Sequence, residues 1–204
     1  SKEPRFIGGV WGPYYSAVLP EYWLNEGGQS ATGALIDHVI QSHPCYETLL
    51  AQAKSQGQTI YEVLNALLRK MAGEPEDIAF LTRDMHILPY FHGNRSPRAN
   101  PTLTGAITGL KLSRTPEDMA LQYLATIQAI ALGTRHIIET MNQSGYTIDT
   151  IMASGGGTKN PIFVQEHANA TGCAMLLPEE SEAMLLGGAM MGTIAAGVFE
   201  TFPE

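Results

Sequence analysis

The apolar positions change period along the chain, and each period predicts an element. Over 46–72 (YETLLAQAKSQGQTIYEVLNALLRKMA), Leu49, Leu50, Ile60, Val63, Leu64, Leu67 and Leu68 recur at helical spacing, which predicts two helices broken at Gly57. We read about 46–74 as a helical insertion. Residues 25–42 (NEGGQSATGALIDHVIQS) open as a polar glycine loop and continue into Leu35, Ile36, Val39 and Ile40, a loop feeding a helix. Thr115 is placed as an N-cap, with Pro116 at the first helical position and Glu117 and Asp118 in the first turn. The helix it starts is expected to reach about Asn142, with an apolar stripe of Ala120, Leu124, Ile127, Ala131, Ile138 and Met141.

Shorter runs read as strands. Residues 5–15 (RFIGGVWGPYY) predict an extended segment or hairpin ending at a turn, 78–92 two short extended runs, and 106–112 a strand. Between them, 93–105 (GNRSPRANPTLTG) is a polar Gly/Pro-rich loop of the kind that carries function or ties down a core. After Gly145 the order becomes strand (148–152), glycine loop, helix (161–170), strand (173–177) and helix (181–196). Strands alternating with helices predict an α/β layer fold with at least one parallel pair. The last helix, MLLGGAMMGTIAAG, is rich in Gly and Ala, which weaken a helix but let a neighbouring helix or a ligand come close.

Composition narrows the classes. With 204 residues, 44% of them hydrophobic and 16% charged, the chain is large enough to bury a core. No apolar run is long enough to span a bilayer, and SKEPRFIGG has neither a signal h-region nor an initiator Met. A cytoplasmic protein without a membrane partner is therefore expected, its chain beginning inside a longer polypeptide. Cys45 and Cys173 lack metal-ligand spacing and read as reduced, buried small hydrophobes. A net charge of −8, with 12 scattered Lys and Arg residues, disfavours nucleic acid. Phosphate groups would then be held by backbone N–H groups, helix N-termini and a metal ion rather than by side-chain cations.

The stretch ASGGGTKNPIF, 153–163, carries the main candidate chemistry. Consecutive glycines raise the entropy that folding must overcome by roughly 0.5–1 kcal/mol each relative to alanine, so three together imply a close approach to the backbone. A dinucleotide fingerprint needs G-x-G-x-x-G, and Asn160 stands where its last glycine would be; Lys159 lacks the context of a Walker A loop. A structural turn and a loop of bare N–H groups beside a helix N-terminus, suited to phosphate or ribose, remain. His38, His43, His86, His92, His136 and His167 show no mutual spacing for a metal and read as satisfied structural groups. Trp11 and Trp23 read as packing residues, and Glu179, Glu180 and Glu182 as charges favoured at a helix start rather than catalytic groups.

Taken in order, WLNEGGQSATGALIDHVI, LPYFHGNRSPRANPTLTGAITGL, ATIQAIALGTRHIIETM, IMASGGGTKNPIFVQEHANATG and EAMLLGGAMMGTIAAG resemble the C-terminal domain of FGGY-family carbohydrate kinases over nearly the whole chain. LQYLATIQAIALGTRHIIETM looks most like the D-ribulokinase branch. The family's second signature corresponds to Gly105, Ile107, Gly109 and Leu110, then Ala125, Ile127 and Gln128, across a gap longer than the general pattern. The resemblance implies an actin-like ATPase (ribonuclease H-like) fold of two domains, with Mg·ATP and a ketose or polyol in the cleft between them. This chain would be the nucleotide-side domain, 1–204.

The resemblance also implies roles. GGGTKN resembles the adenosine loop, making Gly155, Gly156, Gly157 and Thr158 nucleotide contacts and Asn160 a candidate for the purine edge. EGGQ resembles the other wall of that pocket, implicating Gly27, Gly28 and Gln29. Lys159 either touches a phosphate or is solvated; Arg95, in HGNRSP, either reaches phosphate or substrate or, the favoured reading, ties its loop to carbonyls. The catalytic Asp and the phosphate-gripping hairpin of the family fall in the absent N-terminal domain, so no catalytic residue and no metal ligand is assigned here. The implied partners are ATP, Mg²⁺, a ketopentose such as D-ribulose and that N-terminal domain, with a homodimer left open. Xylulose, L-ribulose or glycerol as the sugar, and a non-catalytic actin-like nucleotide-binding module, are the competing readings.

Overall fold

The computed structural model describes residues 1–180 and 182–201. Two antiparallel strands open the chain, β1 (Trp11–Tyr15) and β2 (Trp23–Glu26), so the hairpin expected near 5–15 forms with its second strand further on. The β2 strand runs into the EGGQ loop and then α1 (Gly33–Gln41), which buries Leu35, Ile36, Val39 and Ile40.

Helices α2 (Tyr46–Ser55) and α3 (Ile60–Ala72) follow, separated at Gly57, whose φ of +65° favours glycine. Thr59 and Glu62 start α3 with a capping box: each side chain satisfies the other's backbone N–H. Leu49, Ala53, Val63, Leu64 and Leu68 enter the same core as α1 rather than forming one of their own.

A short 3₁₀ helix, Pro75–Phe80, takes the first residues of the stretch expected to be extended from 78, because Pro75 fixes a helical φ and Glu76 and Asp77 suit a first turn. Strands β3 (His86–Leu88) and β4 (Ala106–Thr108) then pair antiparallel. The strand expected over 106–112 stops at Thr108 because Gly109 turns to φ +82°; a Cβ there would collide with the Asp84 carbonyl oxygen. An added Cβ at Gly105 would strike the Phe91 ring. Both signature glycines are thus set by the β3–β4 hairpin.

The central element is α4 (Pro116–Gln143), capped as expected: the Thr115 hydroxyl accepts from Asp118 N–H. Burial extends around α4 from Asp118 to Ala131, wider than the expected stripe, while Ile138 and Met141 are half-buried. The width follows from its neighbours, since α1, α3, α5 and β3 all pack against it. Gln128 on α4 donates to Ala79 O and to Glu166, and pairs with the Thr82 hydroxyl, so the signature amide clamps three segments.

The last third is strand, helix, strand, helix: β5 (Thr150–Met152), α5 (Pro161–Thr171), β6 (Ala174–Leu176) and α6 (Ala183–Ala195). β5 and β6 pair in parallel, the expected parallel pair joined by a helix. Ser181, the expected first residue of the last helix, lies outside the described residues. No residue of α6 is buried, and a Cβ at Gly187, Gly188 or Gly192 would meet nothing within 4 Å. The close neighbour expected of those glycines is therefore not supplied by the described residues. No described helix is long and apolar enough to cross a membrane.

Candidate nucleotide site

The two glycine loops are each anchored to α4. Gln29 donates its Nε2–H groups to Ile130 O (2.9 Å) and Thr134 Oγ1 (3.1 Å). Gly27 lies so close to α4 that a Cβ would be 2.6 Å from Ile137 Cγ2, and Gly28 sits over the Arg95 guanidinium. The EGGQ segment therefore lies flat against the helix because its glycines let it approach.

Nearer the N-terminus of α4, Tyr123 anchors the other loop: Asn160 Nδ2–H donates to its hydroxyl at 2.6 Å. Tyr123 and Ile130 are seven residues apart, two helical turns, so they share a face of α4 roughly 10 Å apart along its axis. No hydrogen bond among the described residues joins the loops directly.

Within GGGTKN, the glycines are placed for different reasons. Gly155 takes φ +93° and opens a 3₁₀ turn, Gly156–Lys159, that Thr158 closes by donating its N–H and hydroxyl to Gly155 O at 3.1 and 2.7 Å. Gly157 is held near Phe163, whose ring would be 2.9 Å from an added Cβ. Gly156 has neither reason: its φ lies outside the left-handed range and nothing approaches its Cβ position within 4 Å. The N–H groups of Gly155, Gly156 and Gly157 donate to no protein acceptor among the described residues, and all three glycines are exposed.

The N-terminus of α5, by contrast, is already satisfied. Asn160 Oδ1 accepts from Ile162 N and Phe163 N, Val164 N donates to Asn160 O, and Pro161 has no N–H. The sequence pointed to free N–H groups of the loop and of the helix end together; only those of the loop are free. Lys159 is exposed with no hydrogen bond or ion pair among the described residues.

Arg95 is engaged within the protein. Its Nη2 pairs with Glu26 Oε1, and its guanidinium carbon lies 4.3 Å from the centre of the Trp11 ring. Around it, Asn94 accepts from Arg98 N, and a Cβ at Gly93 would collide with Pro101. The loop is tied down as expected, although Arg95 reaches a carboxylate and an aromatic face instead of carbonyls.

The histidines at buried positions are satisfied. His43 accepts from Cys45 N at Nδ1, which puts its proton on Nε2, 3.1 Å from Asp118 Oδ2. His167 donates Nδ1–H to Phe163 O at 2.8 Å, and burial lowers its pKa. Cys45 and Cys173 are free thiols; Cys173 is buried, whereas Cys45 is only half-buried, against Arg114 O.

Sequence reading did not single out Asn65 or Tyr123. Asn65 on α3 is 4% exposed, donates Nδ2–H to Asn160 Oδ1 at 3.0 Å and accepts from the Tyr123 hydroxyl at 3.1 Å. The signal was an amide between buried Leu64 and Leu68 on an apolar face, where an amide needs partners from elsewhere in the chain.

The sequence profile of the FGGY family of carbohydrate kinases, C-terminal domain, matches residues 1–196. The chain belongs to this family. It is 51% identical over its full length to the human FGGY carbohydrate kinase domain-containing protein, of which it spans 37%, and 36% identical over 98% of its length to a D-ribulokinase of Saccharomyces cerevisiae, of which it spans 28%. In three dimensions it matches a ligand-bound xylulose kinase from Lactobacillus acidophilus with a TM-score of 0.63 at 20% identity, covering 95% of this chain and 38% of that one. A xylulose kinase from Rhodospirillum rubrum matches at 0.60 and 25% identity, covering 87% and 32%. The fold of this FGGY domain is thus the C-terminal domain of the actin-like ATPase sugar kinases.

Proposed function

We propose that this chain is the nucleotide-side domain, with the helical insertion at about 46–74, of an ATP-dependent pentulose kinase whose acceptor is D-ribulose. The observation that carries the nucleotide assignment is Gly156, whose missing side chain answers no constraint among the described residues and whose N–H, like those of Gly155 and Gly157 on either side, is exposed and free. Such groups suit phosphate or ribose oxygens. The D-ribulose assignment rests on the similarity to the yeast D-ribulokinase.

In this reading Gly155, Gly156, Gly157 and Thr158 form one wall and Gly27, Gly28 and Gln29 the other. Asn160 spends its oxygen on α5 and keeps one N–H for the purine edge. Lys159 supplies a solvated positive charge beside the phosphates, while Arg95 buttresses Gly28. Mg²⁺, bound with ATP, would neutralise charge on the transferring phosphoryl group. A sugar hydroxyl gives up its proton to a carboxylate outside this chain as its oxygen attacks the γ-phosphorus, and the bond from that phosphorus to the β–γ bridging oxygen breaks to release ADP. The domain's contribution is to hold and orient the nucleotide, which by itself transfers nothing.

The remaining part of the polypeptide is the proposed partner of the apolar surface on α6 and the β5–β6 pair. A two-stranded parallel sheet is normally covered on both faces, and Met152, Leu176 and Leu177 are exposed here.

The test is ADP release by the full-length protein with Mg·ATP against D-ribulose, L-ribulose, D-xylulose and glycerol. Preferential turnover of D-ribulose is expected. Preference for D-xylulose would replace the sugar, and nucleotide binding without turnover of any sugar would make the protein a non-catalytic module.

A further inference from the structure

Three polar side chains from three separate segments close a ring in the interior. Tyr123 O–H donates to Asn65 Oδ1 at 3.1 Å, Asn65 Nδ2–H donates to Asn160 Oδ1 at 3.0 Å, and Asn160 Nδ2–H donates to Tyr123 Oη at 2.6 Å. Each member donates once and accepts once, so the bonds run in one direction around the ring and polarise one another. Tyr123 is fully buried and Asn65 nearly so, in a core otherwise built of Leu, Ile, Met and Ala. Burial pushes the Tyr123 phenol up to about 12, so it stays protonated and able to donate across the physiological range.

Apolar residues at 65 and 123 would fill the same space without polar groups to satisfy. What the ring adds is orientation. An amide can present either its oxygen or its nitrogen to a neighbour; the N–H groups of Ile162 and Phe163 demand the oxygen of Asn160, and Asn65 and Tyr123 hold the side chain in that setting, Oδ1 toward α3 and the α5 N-terminus, Nδ2 toward α4. Asn160 accepts this constraint at the residue where the 3₁₀ turn Gly156–Lys159 ends and α5 begins.

We propose that Asn65 and Tyr123 are positioning residues of the nucleotide site, which fix the end of the glycine loop and hold the Asn160 side chain in place from the far side of the core. The proposal rests on the reading of 155–160 as the nucleotide loop. Neither residue touches the nucleotide; both act through Asn160. Because Asn160 Oδ1 already serves three donors, the polarity it offers is that of a donor, which pairs with a ring nitrogen or an oxygen of the ligand.

The test compares Tyr123→Phe, Asn65→Leu and Asn65→Asp in the full-length protein, reading ADP affinity by calorimetry, KM for ATP against KM for the sugar, and Tm. Tyr123→Phe is expected to weaken ADP binding and raise KM for ATP about tenfold, the effect of one misplaced buried hydrogen-bonding group, with the sugar KM unchanged. Asn65→Asp places an acceptor opposite Asn160 Oδ1, which the α5 N–H groups hold in place, and so pushes the Asn160 side chain out of its setting. Its ADP affinity should recover as pH falls from about 8 to about 5.5, because the protonated carboxyl donates again, whereas Asn65→Leu should not recover. ADP affinity unchanged in a folded Tyr123→Phe protein overturns the proposal, as does a parallel loss of ATP and sugar KM. If Tyr123→Phe does not fold, the pH recovery of Asn65→Asp decides, and its absence overturns the proposal. Absence of ADP binding by the wild-type protein would overturn instead the nucleotide reading on which the proposal rests.

Discussion

Gln128 Nε2 on α4 lies 2.9 Å from Glu166 Oε2 on α5, a buried amide–carboxyl bond that joins the two most extensively packed helices of the domain. Burial raises the Glu166 pKa, outweighing the bonds from Gln128 and Asn169. A raised carboxyl pKa means that the folded state holds a proton the unfolded state has released. Stability from this group is therefore present below about pH 4.5 and is lost as pH climbs through the folded value. The next residue on α5, His167, does the opposite: its lowered pKa makes the unfolded state bind the extra proton, so its contribution is complete above about pH 6.5 and fades as pH falls. Glu166→Gln keeps an acceptor for Gln128 and removes the charge. It should raise Tm at pH 7 by roughly a few degrees and leave a stability profile that only rises between about pH 4.5 and 6.5. Thermal melts across that range check it; a profile as flat as wild type would show that Glu166 is ionised at no cost.

Gly156 separates a folding role from a ligand role. Gly156→Ala has no Cβ clash and no left-handed φ to violate, so Tm should hold or rise, with stability changing by about 0.4–1 kcal/mol at most. Nucleotide affinity should fall at least about tenfold if ATP lies against that backbone. Gly105→Ala is the control: its Cβ would meet the Phe91 ring, so it should cost about 1–3 kcal/mol. Calorimetric ADP binding equal to wild type in Gly156→Ala would remove the nucleotide from this loop.

Much of this arrangement was legible before any coordinates. The helix starts at Thr59 and Thr115 and the glycine turns at 57 and 155–157 follow from short-range chemistry, which sequence displays directly. The misses came from longer-range causes. The strand beginning at Ala106 looked longer because nothing local reveals that Asp84 lies under Gly109. The cap that Asn160 forms on α5, and its partners Asn65 and Tyr123, are not legible locally because they are set by packing of α3 and α4. Asn65 itself resembled an ordinary interruption of an apolar face.

Arg95 offers a second separation. Its pair with Glu26 is partly solvated, worth about 0–1 kcal/mol, and its stacking on Trp11 adds about 0.5–1 kcal/mol. Arg95→Met keeps the apolar stem over Gly28 and loses both interactions. It should lower stability by about 0.5–2 kcal/mol by chemical denaturation while KM for ATP and for the sugar stay within a factor of about two. A selective loss in either KM would place Arg95 on a ligand.

Leu185 on α6 tests what covers the apolar end of the domain. It is 71% exposed here, Met184 is 79% exposed, and the helix carries no charged residue on any face from Ala183 to Ala195. A helix apolar all round belongs in an interior, not against water. An exposed leucine truncated to alanine ordinarily changes stability by no more than about 0.5 kcal/mol, whereas a buried one costs about 2–5 kcal/mol. If the rest of the polypeptide packs on α6, Leu185→Ala in the full-length protein should behave as the buried kind, a difference that denaturant midpoints resolve easily. A change within about 0.5 kcal/mol would mean that α6 faces solvent in the whole protein, and would detach the β5–β6 and α6 surface from the proposed domain contact.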